Sequence, residues 1–592
     1  TTLDLSASSA LNTLDCSQNQ LATLNVSNCA ALAKLLCYGN KLATLDVSVC
    51  PSLEELQCFN NQLTTLDLSK NTKLTTLYCY QNRIKDEAMD ALVESLPTVD
   101  EGVLRVISNV NEQNVMMAAQ VASAKAKGWV AYSYDGLDWQ EYAGVEPITG
   151  IAVNEENFPD ANFRNWVLSH SYGKDGVLTA EEIAGVTEIN VAGNGIQSLK
   201  GIENFTELKR LDCSANQLTA IDVSKNEKLE TLYCYQNPLS TLDVSDSSAL
   251  TKLWCYQNQL STLNVSGCTA LQELRCYQNQ LTALDVSGCT ALTSLYCSEN
   301  QLSTLDVSDC TALTRLDCNQ NQLSTLNVSG CTALQVLRCF RNQLTTLDAS
   351  GCIALTNLDC YQNKLTKLDV SGCTALESLD CYQNQLTTLD ASDCIALVTV
   401  QCYQNELSML NVSGCSVLKE LWCYQNQLAA LDVKNCTALQ KLYCVGNQLT
   451  ALDVTGCTAL TSLYCFENQL ASLDVSDCTV LATLLCHNNP LTALNLSDNT
   501  LLQELKCCQT QLTTLDVSGC TALTKLLCYQ NQLTTLNVSG CTALTTLQCY
   551  QNQLATLNVS DCTALTELQC SQNQLTTLDL SASSALNTLD CS

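Results

Sequence analysis

From Lys209 to the last residue, apolar and polar positions follow one schedule that repeats every 21 residues. In the unit Leu281–Gln301 (LTALDVSGCTALTSLYCSENQ) the apolar positions include Leu281, Leu284, Val286, Leu292, Leu295 and Cys297. The alternation Leu295–Tyr296–Cys297 predicts a short strand with Leu and Cys inward and Tyr296 outward. The half that begins at Leu281 echoes this spacing and predicts a second extended edge. Cysteines mark the phase without insertion: Cys213, Cys234, Cys255, Cys276, Cys297 and on to Cys591. The same schedule runs through Thr1–Asn82, with Cys16, Cys37, Cys58 and Cys79 in phase. A fixed period of this length predicts a solenoid whose units bury their apolar faces on one another. Asn300 and its equivalents should turn inward and satisfy loop backbone groups.

The schedule is interrupted once, which divides the chain into four expected segments. Residues 1–84 are the end of a first array and 85–147 an α/β closing cap or linker. Residues 148–208 are a helical opening cap, and 209–592 a second array of about 19 cysteine-phased rungs. Within the closing cap, Asp86–Leu96 has helical spacing and stops before Pro97, and Val115–Lys127 predicts a helix closed by Gly128. Val103–Ile107 and Trp129–Tyr134 predict strands that extend the solenoid sheet. In the opening cap, Phe158–Leu168 predicts an amphipathic helix presenting Phe163, Trp166 and Val167. Ser171–Glu182 then has the length and glycine position of an EF-hand loop. Asp175, Thr179 and Glu182 match its ligand positions five, nine and twelve, whereas Ser171 and Gly173 stand where carboxylate or amide ligands are expected. The loop is therefore expected to be a metal-free helix–loop–helix cap. If calcium binds, Asp175, Thr179 and Glu182 are its ligand set.

Charge and cysteine chemistry narrow the function classes. The net charge is −31 and the pI about 4.2, a field that repels phosphate backbones and anionic lipid. No nucleic-acid partner is expected. No apolar run approaches the ~18 residues of a membrane helix, so no membrane insertion is expected either. Forty cysteines suggest disulfides, but in-phase cysteines on stacked rungs lie ~4.8 Å apart with parallel side chains, which does not suit an S–S bond. They are expected to be buried thiols, and no cofactor is expected. A second column (Cys268, Cys289, Cys310 and onward) is exchanged for Asn71, Asn226, Asn499 or Ser583, which predicts a tight, partly buried turn.

Leu292, Leu295, Cys297, Asn300 and Leu302 fit the leucine-rich-repeat pattern LxxLxLxxNxL, with cysteine replacing its third leucine. The array resembles bacterial leucine-rich-repeat proteins of the internalin family, in particular the internalin-J-like group, in its 21-residue unit and in-phase cysteine ladder. The segments 85–144 and 148–208 resemble capping segments of surface repeat proteins from gut Bacteroidetes. The resemblance implies a leucine-rich-repeat solenoid: a parallel-β, curved right-handed rod with small α/β and helical capping segments. It also implies an extracellular or bacterial cell-surface location and a concave sheet that binds a protein or glycan partner. It carries over no catalytic residue.

The column just before the strand cysteine varies while its inward neighbours hardly change. Tyr233, Trp254, Arg275, Tyr296, Arg338, Trp422, Tyr443 and Tyr464 are the candidate binding residues, since aromatics mixed with Arg mark interfaces. The residue just after the cysteine is Tyr in eleven rungs and predicts a stacked aromatic ladder. An Asp/Asn column (Asp243, Asn264, Asp285, Asp306 and onward) should be solvated, with calcium along it the sharper alternative. One rung is irregular: Cys507-Cys508-Gln509-Thr510 places Cys where Tyr belongs and Thr where Asn belongs, so Cys508 is expected to be an exposed thiol. His487 lies beside inward Cys486, and adjacent strand residues face opposite ways, so no Cys–His dyad is expected. No nucleophile–base pair, phosphate loop or zinc spacing is present, and an enzyme is not expected. Thr1–Ser17 is identical to Thr576–Ser592, which suggests tandem modules of about 575 residues. The alternative function is accordingly an extracellular fibre built by self-association of such modules into filaments.

Overall fold

In a computed structural model, residues 1–147 and 149–592 are described; the expected cap boundary at Ile148 lies outside them. The chain forms two compact units, Thr1–Gly150 and Ile151–Ser592.

The first unit is built on a seven-stranded sheet. The strands Thr13–Asp15, Lys34–Leu36, Glu55–Gln57 and Thr76–Tyr78 pair in parallel, with Leu14, Leu35, Leu56 and Leu77 in register. The sheet then leaves the repeat but keeps its direction: Leu77 registers with Leu104 of Gly102–Ser108, which pairs in parallel with Trp129–Tyr134. The crossovers carry helices α1 (Glu87–Ser95) and α2 (Ala118–Ala126). Trp129 is fully buried and its indole N–H donates to Pro97 O at 2.8 Å. Gly102 makes room for that ring, since a Cβ there would lie 2.6 Å from it. The sheet ends in an antiparallel hairpin to Trp139–Glu141, which the repeat pattern did not announce. Its turn is held by Asp135 Oδ1, which accepts from Leu137 N and Asp138 N.

The second unit opens with an antiparallel pair, Ile151–Ala152 with Val177–Leu178. Helix α3 (Ala161–Leu168) is capped by Asp160, whose Oδ1 accepts from Asn162 N and Phe163 N and whose Oδ2 accepts from Gln197 N and Ser198 N. One carboxylate thus ties the cap to the first rungs. Helix α4 (Ala180–Gly185) follows. A 20-stranded parallel sheet then runs from Glu188–Asn190 to Thr588–Asp590, one three-residue strand per rung.

Each inward position of a rung has a physical job. Leu292, Leu295 and Cys297 are fully buried. Asn300 Nδ2 donates to Cys276 O and Cys297 O, at 3.0 and 3.1 Å, and its Oδ1 accepts from Leu281 N at 3.0 Å. One amide therefore satisfies three backbone groups across neighbouring rungs, each costing ~1–3 kcal/mol if left unpaired. All cysteines except Cys591 are buried and free, and burial pushes the thiol of Cys276 up to about 12.

The second cysteine column is more deeply buried than expected: Cys268, Cys289 and Cys310 are fully buried. Cys268 Sγ donates to Val244 O at 3.2 Å. Where asparagine substitutes, Asn226 Nδ2 donates to Ile202 O and Phe205 O, but its Oδ1 has no partner. The thiol supplies a donor without stranding an acceptor. The second extended edge forms as two-stranded patches, mostly where Asp is followed by Asn one rung on, as in Asp243–Asn264 and Asp306–Asn327.

Candidate binding face

Because a three-residue strand exposes its first and third positions on one face, the outward sheet surface has two columns. The candidates Tyr233, Trp254, Arg275, Tyr296, Arg338, Trp422, Tyr443 and Tyr464 form the third-position column and are all half-buried. The structure brings the first four together. Tyr233 stacks on Trp254 at 4.4 Å between centroids. The Arg275 guanidinium lies 4.3 Å from the Trp254 ring and 5.0 Å from the Tyr296 ring. Arg210 and Arg315, first-position residues that a single-column reading passes over, lie on Tyr233 at 4.8 Å and on Tyr296 at 5.5 Å. The i, i+2 spacing in Arg315–Leu316–Asp317 was the signal that would have found them.

Trp422, Tyr443 and Tyr464 form a second aromatic strip, edge to face, at 4.9 and 4.6 Å. Arg338 belongs to neither strip. Its Nε donates to Asp359 Oδ2 at 3.1 Å, and it lies 4.0 Å from Asp317. Burial raises the carboxyls of Asp317 and Asp359, opposed by Arg338. Asp380, in register with Asp359, is pushed up to about 6, first by burial and then by the Asp359 carboxylate. Its Oδ1 has no hydrogen-bond partner, and neither do the indole nitrogens of Trp254 and Trp422. The face is thus an aromatic–guanidinium strip, an acidic centre, and an aromatic strip flanked by the Glu420–Lys441 ion pair.

The post-cysteine column is a stacked ladder. Phe340, Tyr361, Tyr382, Tyr403 and Tyr424 follow one another at 4.3–4.5 Å with interplanar angles of 6–9°. Beside it runs an amide ladder in which each Gln holds a left-handed φ near +54°. Gln362 donates to Gln383, Gln383 to Gln404 and Gln404 to Gln425, at 2.7–2.8 Å.

The remaining candidates lie apart from this face. Cys213, Cys234, Cys255, Cys276 and Cys297 form the buried ladder with Asn300 beneath it. In the EF-hand-like loop, Glu182 Oε2 accepts from Thr179 N and Thr179 Oγ1 at 2.9 and 2.8 Å, and Thr179 caps α4. Asp175 Oδ1 accepts from Val177 N. Asp175, Thr179 and Glu182 take part in capping and turn geometry, and among the described residues no three His, Cys, Asp or Glu side chains are grouped to hold a metal ion. Cys508 corrects the expectation of an exposed thiol: it is fully buried, and burial raises its thiol above the ordinary value. The exposed thiol is Cys591. His487 stacks on Phe466 at 4.2 Å, and burial, aided by Lys506, lowers it to about 4.

Parallel three-residue strands, one per 21-residue rung, with an inward asparagine closing each turn, define a leucine-rich-repeat solenoid. No family model and no curated protein matches the chain. Among solved structures it is similar to the functional domain of InlJ from Listeria monocytogenes, which includes a cysteine ladder. Identity is 32% over 65% of this chain and 77% of that chain, with a TM-score of 0.43. By that identity the chain belongs to the internalin-J-like leucine-rich-repeat proteins with a cysteine ladder. It is also similar to YopM from Yersinia enterocolitica (22% identity, 72% of this chain, 95% of that chain, TM-score 0.48). The internalin InlF from Listeria monocytogenes is similar at 20% identity (75% of this chain, 99% of that chain, TM-score 0.37). Among the described residues no helix is long and apolar enough to cross a membrane.

Proposed function

We propose that this is an extracellular or bacterial cell-surface binding protein, adhesin-like, that engages a protein partner through the outward face of the 20-stranded sheet. The observation that supports it is the strip Arg210–Tyr233–Trp254–Arg275–Tyr296–Arg315, six side chains held in mutual ring–ring and guanidinium–ring contact on a solvent-facing surface. Aromatic and Arg side chains fixed in this way lose little further entropy on docking and are the residue types that dominate protein interfaces. The acidic centre between the strips favours a basic patch on that partner.

Binding of the purified chain to host-type cells, read by flow cytometry, tests this. The Trp254→Ala, Trp422→Ala double variant is expected to lose at least tenfold in affinity, and prior protease treatment of the cells to abolish binding. Unchanged binding by the double variant removes the sheet face from the reading. Binding that survives protease but not glycosidase assigns the partner to glycan. Continuous filaments in electron micrographs of the protein alone favour the fibre instead.

A further inference from the structure

The closing cap of the first unit raises a wall beside the turns of the last regular rungs. Three consecutive parallel strands, Glu55–Gln57, Thr76–Tyr78 and Gly102–Ser108, send their following loops to the same end of the sheet. Those loops enclose a cavity of about 260 Å³. Where parallel strands alternate with helices, as they do here, the carboxyl ends of the strands are the place where loops converge on ligands. The floor includes Asn61 and Asn82, both buried, and their amides belong to the turn. Asn82 Nδ2 donates to Cys58 O and Cys79 O, and its Oδ1 accepts from Leu63 N. The rim is Asn60, Gln81, Arg83, Asn111 and Gln113.

One carboxylate fixes both walls. In a regular rung the backbone N–H at the Gln81 position donates to the next rung, as Gln257 N does to Tyr277 O at 3.0 Å. After Gln81 no regular rung follows, and Glu112 takes the part of the missing carbonyl. It accepts from Gln81 N on one wall and from Ser108 N and Asn114 N on the other, each at 2.8 Å. Gln81 Nε2 adds a bond to Val110 O at 2.8 Å. The backbone around the cavity is thus set, while most of the rim is unspent. Among the described residues the side chains of Asn60, Arg83, Asn111 and Gln113 have no hydrogen-bond or ion-pair partner, and all four are exposed.

The chemistry of that rim selects a class of ligand. A side-chain amide both donates and accepts, as a sugar hydroxyl does, and a guanidinium supplies further donors. Arg83 is the one cation among the lining residues. It is offset by the neighbouring Glu112 carboxylate in a chain of net charge −31, which disfavours an anion. No aromatic or aliphatic side chain lines the cavity, so an apolar ligand has nothing to rest on. The volume lies below the roughly 300 Å³ at which drug-sized sites begin and suits one small ring. We infer that this cavity binds a single neutral hexopyranose ring, held by the amides of Asn60, Asn111 and Gln113 and by the Arg83 guanidinium. The site goes beyond the sheet-face function, because it lies within Thr1–Gly150 and uses none of that face's residues.

Saturation-transfer NMR of the full chain with D-glucose, D-galactose and D-mannose, each at about 20 mM, tests it. At least one of the three is expected to receive saturation. Arg83→Ala with Gln113→Ala removes two side chains that have no partner within the chain. That variant is expected to melt as the wild type does and to lose at least tenfold in affinity. Asn111→Gly, which keeps the left-handed turn at that residue, is expected to lose about fivefold. Trp254→Ala with Trp422→Ala is expected to bind sugar unchanged, so this site and the sheet face fail separately. A folded Arg83→Ala, Gln113→Ala chain that binds within twofold of wild type overturns the site, as does a wild-type chain that binds none of the three sugars. D-glucuronate bound more tightly than D-glucose overturns the neutral class. Methyl glycosides bound as tightly as the free sugars would identify the terminal residue of a glycan as the source. Binding of the free sugars alone would identify a monosaccharide; either result supports the site.

Discussion

The regular rung Leu281–Gln301 and the irregular rung ending at Thr510 share a backbone course but not a hydrogen-bond plan. In the first, Asn300 ties Leu281 N, Cys276 O and Cys297 O together. In the second, Thr510 has one hydroxyl for the same task. Its single proton is shared between Cys507 O and Asn531 Oδ1, and Asn531 Oδ1 also accepts from Thr510 N. The bond from Leu491 N–H has no counterpart, and Asn531 Oδ1 takes Thr510 while its Nδ2 keeps the usual bonds to Cys507 O and Cys528 O. The ring column changes as well, to Phe466, His487, Cys508 and Tyr529. A solenoid tolerates such a rung because each unit answers only to its neighbours, so a local loss is bounded by the intact rungs on either side.

This comparison is broken most strongly from the regular side. Asn300→Ala removes the amide that bonds Leu281 N, Cys276 O, Cys297 O and Ser298 O and is expected to destabilise by about 3 kcal/mol, read by urea denaturation. A loss equal to that of Thr510→Ala would mean that the two rungs are not different. Next in size is acid sensitivity at His487. Its folded pKa of about 4 lies below the unfolded 6.5, so the stability it contributes is present above 6.5 and lost as pH falls from there through 4. The expected loss is roughly 2 kcal/mol, and His487→Phe should flatten that part of the curve; a profile unchanged in the variant refutes the assignment. Thr510→Asn should restore the plan of the regular rung and raise stability by about 1.5 kcal/mol, with slower amide exchange at Leu491 as its local readout. Cys508→Tyr should re-establish ring stacking against Tyr529 for about 1 kcal/mol; a decrease would show that the neighbouring rings have closed over the thiol.

Legibility in the sequence followed the same division. A position that must face the core in every rung is written over and over, so the phase of Cys297, the inward turn of Asn300 and the stack around Tyr382 were all readable from spacing. Features that depend on one rung differing from the next were not. The burial of Cys508 turns on the size of its neighbours rather than on its column. The left-handed glutamines carry no mark, since Gln seldom holds φ near +54° and does so here because the turn and the amide ladder over-determine it. The hairpin at Trp139–Glu141 lies outside the repeat altogether. On the binding face, Trp254 and Arg275 stood out by type, but their lattice with Arg210 and Arg315 became visible only once both outward columns were counted.

The hydrogen bonds that join successive strands, such as Cys276 N to Tyr296 O, run along the stacking direction. Tension applied to the ends of such an array therefore loads rungs in series. A rung that detaches lets out its whole 21-residue contour, roughly 70 Å of extended chain, before the next takes the strain. A chain tethered at one end and held by a partner at the other would respond to flow by lengthening in steps, keeping force on the bond low while most of the 20-stranded sheet stays intact.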